Sequence, residues 1–199
     1  MIDLATIELK RGAHSKIEDG GCAMEWVSAL AGLPWSDNPS CTDPVVASYV
    51  RSLNDFMPDD QRQRLISYIP KLAATSNGVS QQNRAYICAD FAIHVLAPIA
   101  LRASKLEVDA IRLESLPKIQ DVQSASPTPP PTPPSTSASA ASAASAAWAA
   151  MSATSAASAA SAASAASAAW AAAWAAESAT SAAWDQALVL LDLLIEAKA

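Results

Sequence analysis

The stretch SASAASAASAAWAAMSATSAASAASAASAASAAWAAAWAAESATSAAW, Ser137 to Trp184, decides the architecture. It is of low complexity and nearly all alanine, serine and tryptophan. No glycine follows Gly78, no proline follows Pro134, and no charge lies between Asp121 and Glu177. Alanine is the best helix former because it loses no side-chain entropy in a helix. The run therefore reads as one helix from about residue 137 to 196, on the order of 90 Å long at ~1.5 Å per residue. The Ser-Ala-Ala triplet defines no face, since each step of three residues turns back by about 60°. The tryptophans do define one. Taking Trp148 as origin, Trp170 falls near ~40°, Trp174 near ~80° and Trp184 back near ~0°. Leu188, Leu191 and Ile195 continue this stripe. Bulky apolar side chains aligned on one face mark an association surface rather than a solvated helix. The expected oligomerisation residues are thus Trp148, Trp170, Trp174, Trp184, Leu188, Leu191 and Ile195. Their cover is either another copy, giving a homo-oligomer, or the head of the same chain.

Upstream of this segment, residues 122–136 are rich in Pro, Ser and Thr and read as an extended, semi-rigid linker. Residues 1–121 remain as a head of a size that supports one modest core. The expected class is all-α: a small helical N-terminal domain at 1–121, the linker at 122–136 and the long Ala-rich helix at 137–199. Within the head, residues 1–13 read as a short strand or extended arm ending at Gly12. A first helix runs from Gly21–Cys22 to Gly32. Asp43 caps a second, with Pro44 in the first turn, where its missing N–H does no harm. A third runs from Pro58–Asp59 to Pro70. Ser80 opens a fourth that stops before Pro98, apolar nearly all round and so central. A fifth covers about Ser104 to Leu116. The linker implies that the head carries an independent core.

The chain has 199 residues, a net charge of −6 and a pI near 4.8. Up to Asp121 there are 12 basic and 15 acidic residues, with no basic cluster. Nucleic acid is not an expected partner, because phosphate neutralisation needs grouped Lys and Arg. A membrane is not expected either, since Ala and Ser are too weakly apolar to make a good span. Three cysteines, Cys22, Cys41 and Cys88, and an N-terminus interrupted by charges point to a reducing cytoplasm.

Two sets of residues carry reactive chemistry. Cys22 stands at a helix N-terminus, where the dipole lowers a thiol pKa, although Glu25 one turn on opposes it. His14 lies upstream as a possible base. Asp90 and His94, four apart on the fourth helix, could complete a Cys/His/Asp set. The structural alternatives are a packed, inert Cys22 and a helical Asp90–His94 ion pair near a helix C-terminus. His14, Glu18, Cys22 and Cys41 are metal-ligand types, but their spacing matches no close-paired zinc pattern. No metal and no cofactor is expected. No phosphate loop, dinucleotide fingerprint or nucleophile elbow occurs.

The segments Gly21-Cys22-Ala23-Met24-Glu25 and Ala31-Gly32-Leu33-Pro34-Trp35-Ser36-Asp37, with Cys41, Pro44-Val45, Arg51 and Asn54-Asp55, resemble a family of uncharacterised bacterial and bacteriophage proteins. That family joins such a segment to an Ala-rich, Trp-containing repetitive C-terminus. Its pattern often carries a His after Ser-Asp and a second Cys two residues after the first; here those positions hold Asn38 and Asp43. The resemblance implies a possible phage context, with a host protein or small molecule as ligand, and no mechanism. The expected binding residues are Glu18, Glu25, Trp35, Asp37 and Asp55, around Gly21–Pro44. The reading is a non-enzymatic, cytoplasmic binding and assembly protein; the alternative is a small enzyme centred on Cys22.

Overall fold

Asp43 and Pro44 start the helix around which the molecule is built. In the computed structural model, which describes residues 2–103, 105–120 and 181–198, Asp43 Oδ1 accepts from Val45 N at 2.9 Å and Val46 N at 3.3 Å. Two of the helix's orphan N–H groups are satisfied in this way. This helix, α2 (Pro44–Phe56), buries Val45, Val46, Tyr49, Val50 and Leu53 on one face. Before it lies α1 (Ala23–Leu30), which ends where Gly32 adopts φ +68° and the chain reverses. The N-terminal arm is extended apart from a 3₁₀ turn at Leu4–Thr6, and it buries Ile7 and Leu9. Leu9 and Gly21 form one isolated parallel bridge. No strand occurs among the described residues, which are helical and turn structure.

Two prolines behave differently from expectation. The third helix does not run unbroken to Pro70. It splits into α3 (Asp59–Arg62), a 3₁₀ stretch (Gln63–Tyr68) and α4 (Ile69–Leu72), with Pro70 inside the first turn of α4. Proline is tolerated there because its absent N–H has no intrahelical acceptor to miss. Likewise Pro98 does not end the central helix. α5 (Gln81–Phe91) widens into a π-helical turn (Ala92–Leu96) and continues as α6 (Ala97–Ala103). A proline ring would collide with the carbonyl four residues back in a regular helix, and the wider turn lies where that collision would fall. Lys105 at φ +62° turns the chain into α7 (Glu107–Glu114).

The end of the chain is described only in part. Of the long helix expected over 137–196, only α8 (Ser181–Glu196) falls among the described residues. α8 packs against α2 and α5. Trp184, Ala187, Leu188, Leu190, Leu191 and Leu194 are buried in the same core as Met24, Val46, Tyr49, Leu53 and Leu65, and Ile195 packs against its edge. Trp184 is only 2% exposed. Of the two covers expected for the stripe at Trp184, Leu188, Leu191 and Ile195, another copy or the head of the same chain, it is the head that covers these four. Trp148, Trp170 and Trp174, with the linker at 122–136, lie outside the described residues. The boundary at 121 therefore does not separate two cores, because the head's main core includes residues 184–194. A smaller cluster is formed by Tyr86, Ala89, Ile93, Ala97, Leu101, Ala110, Leu113 and Ile119.

No helix among the described residues is long and apolar enough to cross a membrane.

Candidate functional site

The segment around Gly21–Pro44 is organised by one buried carboxylate. Glu25 is 1% exposed. Its Oε2 accepts from Cys22 N at 2.8 Å, as the reciprocal half of a capping box at the start of α1. Glu25 Oε1 accepts the backbone N–H of His14, and Oε2 lies 3.0 Å from His14 Nδ1. The N-terminal arm is thereby clamped onto α1. Neighbouring side chains extend the clamp. Asn54 Oδ1 accepts from Ala23 N at 3.1 Å, Asn54 Nδ2 donates to Lys10 O at 2.8 Å, and Asp55 Oδ1 accepts from Gly12 N at 2.8 Å. Gln63 bonds both the N–H and the C=O of Leu9.

This geometry does not build a Cys22 nucleophile. Cys22 is 3% exposed. Burial pushes its thiol up to about 12, and the Glu25 charge adds in the same direction. His14 Nδ1 is engaged by Glu25. His94 Nδ1 lies 3.1 Å from Asp90 Oδ1, and His94 Nε2 is 3.0 Å from Leu116 O. Asp90 Oδ1 accepts from Ile119 N at 2.8 Å. The Asp90–His94 pair thus forms, but it fastens the 116–119 segment to the helix and does not orient a base toward a thiol. Both ring nitrogens face acceptors, a situation only the imidazolium satisfies with two donors. Accordingly His94 is raised to about 9, chiefly by its hydrogen bond with Asp90.

Of the expected binding residues, Glu25 and Asp55 are engaged in holding the arm. Trp35 Nε1 donates to His14 O at 2.9 Å, and its ring meets Trp26 edge-on with centroids 5.5 Å apart. Gly21 sits beneath both rings, where an added Cβ would lie 2.7 Å from the Trp35 ring. Asp37 accepts Arg51 through its backbone carbonyl at 2.9 Å. Glu18 is exposed on a 3₁₀ turn (Ile17–Asp19). Glu25, Trp35 and Asp55 all hold the N-terminal arm, at His14 and Gly12. Among the described residues no group of three or more His, Cys, Asp or Glu side chains is placed to hold a metal.

The more specific arrangement is the cradle for α8. Tyr49 Oη donates to Ala187 O at 3.1 Å, and Arg84 Nε donates to Leu194 O at 3.1 Å. Arg84 is 0% exposed and also pairs with Asp43 at 3.0 Å and donates to Thr75 O. It therefore joins the cap of α2, the turn after α4 and the last turn of α8. At the rim Arg64 meets Asp185 at 2.6 Å, Tyr68 Oη donates to Asp192 at 3.1 Å, and Lys71 lies 3.8 Å from Asp192. Beside the cradle a groove of about 700 Å³, open to solvent, is lined by Leu4, Gln63, Arg64, Ile66, Tyr68 and Leu188. Sequence reasoning missed Tyr49, Arg84, Arg64, Tyr68 and Lys71. The available signal was Arg84, the one arginine or lysine on a helix otherwise read as apolar. No family model, curated protein or solved structure matches this chain.

Proposed function

We propose that the chain is a non-enzymatic, cytoplasmic assembly protein that holds its Ala/Ser/Trp-rich segment at both ends and associates with further copies through Trp148, Trp170 and Trp174. One observation supports this reading above others. The described part of the head ends at Gln120, just after the His94–Asp90 clasp on residues 116–119, and Trp184 of α8 is buried in the head's core. The intervening segment is thus tethered at two points on one helical body. Trp184 has its cover in the head; the other three tryptophans carry the association. Cys22 serves as a cap and packing residue. The three cysteines are free, in keeping with a reducing compartment.

The test is light scattering on the full chain at tens of micromolar. Wild type is expected to be a dimer, and W148A/W170A/W174A a monomer with an unchanged melting temperature. A monomeric wild type, or a triple variant that remains dimeric, overturns the reading.

A further inference from the structure

Between α4 and α5 the chain turns at Asn77-Gly78, where Gly78 takes φ +83°. Asn77 Oδ1 accepts from Val79 N at 3.3 Å, closing an Asx turn, and from Arg84 Nη2 at 3.0 Å. Two donors on one atom fix that end of the amide as the oxygen. Arg84 is itself held in place. It is 0% exposed, pairs with Asp43 and donates to Thr75 O and Leu194 O. A fixed cation therefore aims a donor at the carbonyl oxygen of a side-chain amide. Asn77 and Gly78 are exposed. Among the described residues nothing accepts the Gly78 N–H.

This is the equipment of an intramolecular acyl transfer. The nucleophile, Gly78 N, follows the electrophile, Asn77 Cγ, directly in the chain, and glycine adds no Cβ to crowd the approach. Attack at Cγ turns Oδ1 into an oxyanion, and the donors already in place on that oxygen stabilise it. We propose that Asn77-Gly78 is a self-modifying site, at which Asn77 of the folded protein deamidates through a cyclic imide with Arg84 and the Val79 N–H as oxyanion donors. The Gly78 N–H proton passes to a solvent base, the N–Cγ bond forms, and the Cγ–Nδ2 bond breaks as ammonia leaves. Water then opens the imide, giving aspartate by addition at Cγ or an isoaspartyl linkage by addition at the main-chain carbonyl carbon of Asn77. Water is the sole co-reactant, and nothing is oxidised or reduced. Either product exchanges a neutral amide for a carboxylate beside the guanidinium that holds Asp43 and Leu194 O. The other asparagines lack parts of this set. Asn38 precedes Pro39, which has no N–H. Asn54 is buried, with its amide engaged by Ala23 N and Lys10 O. Asn83 lies within α5, where the following N–H, that of Arg84, donates to Ser80 O.

The test follows the full chain during incubation at mildly alkaline pH, folded in buffer and unfolded in urea. Peptide mass measurement, with chromatographic separation of aspartyl and isoaspartyl forms, gives the rate at each asparagine. Asn77 is expected to convert about tenfold faster in the folded chain than in urea, because only the fold aligns the donors. Asn38, Asn54 and Asn83 should stay intact in the folded chain. An Asn77 that persists in the folded chain, or that converts no faster there than in urea, overturns the proposal. Arg84→Gln, where circular dichroism shows it folded, should slow the native rate by about tenfold. An unchanged rate in that folded variant overturns the role of Arg84. If the variant does not fold, the comparison of folded with unfolded wild type decides by itself.

Discussion

Trp184 and Cys22 show how far a residue's surroundings change its role. Trp184 stands in the sequence as the last of the Trp of the Ala-rich segment, and it is buried in the core beside residues of α2 and α5. Truncating a buried Trp removes its transfer energy and leaves a cavity. Trp184→Ala should therefore lower stability by about 3–5 kcal/mol, read from urea unfolding. W148A, W170A and W174A should each fall within about 0.5 kcal/mol of wild type. A loss from any of these comparable to that of W184A would place it in the core as well. The cysteines give a second test. Burial pushes both Cys22 and Cys88 up to about 12, while Cys41 is only half-buried. Alkylation followed by peptide mass measurement at neutral pH should label Cys41 first and leave the other two unmodified in the folded protein. Rapid labelling of Cys22 would revive the nucleophile.

At the scale of elements, the π-turn and the 116–119 segment form a clasp with a defined pH window. His94 is raised from its usual 6.5 to about 9, mainly by Asp90, with the Leu116 carbonyl adding against the opposing effect of burial. A folded value above the unfolded one stabilises fully below about pH 6.5 and is lost as pH rises through 9. Asp90 titrates in the opposite sense. Burial alone would raise it, but the hydrogen bonds from His94 and Ile119 outweigh that and hold it below its usual 3.8. Its contribution is present above that usual value and lost as pH falls. Lys118 and Glu114 face the same pair and add smaller charges. His94→Gln should cost about 1–2 kcal/mol near pH 6 after allowance for partial exposure, and the difference from wild type should vanish by pH 10. A difference that persists there would show that packing of Leu116 and Ile119, and not the imidazolium, holds the segment.

For the molecule as a whole, the core is closed by chain from both sides of the Ala/Ser/Trp segment. Removing everything after Gln120 strips Trp184, Leu188, Leu191 and Leu194 from the main cluster and leaves Arg84 and Tyr49 without their acceptors in α8. An unsatisfied buried donor costs about 1–3 kcal/mol, more when charged. Together with the lost burial, this exceeds what a domain of this size holds in reserve. A chain ending at residue 120 should therefore melt without a cooperative transition, and added peptide 181–199 should restore one. Cooperative unfolding of the short chain by itself, followed by circular dichroism, would return the head to the independent status expected from the linker.

What the sequence determined was local. Asp43-Pro44, Gly32 and Ser80 set helix ends because caps and positive-φ positions act on the backbone within a few residues. The phase of Trp184, Leu188, Leu191 and Ile195 fixed one apolar face for the same reason. The importance of Glu25 and Asp55 was legible from the residues around them. Their use, clamping the arm at His14 and Gly12, was not. Tertiary structure decided what lies against each face, since periodicity states that a stripe must be covered without naming the cover. It also decided the fate of Pro70 and Pro98. A proline forbids a donor and a close carbonyl, and whether the helix ends, restarts or widens depends on the packing around it. The pairing of Arg84 with Asp43 and with Leu194 O joins residues far apart in the chain. Contacts at that separation follow from how the helices pack in three dimensions, and no local pattern encodes them.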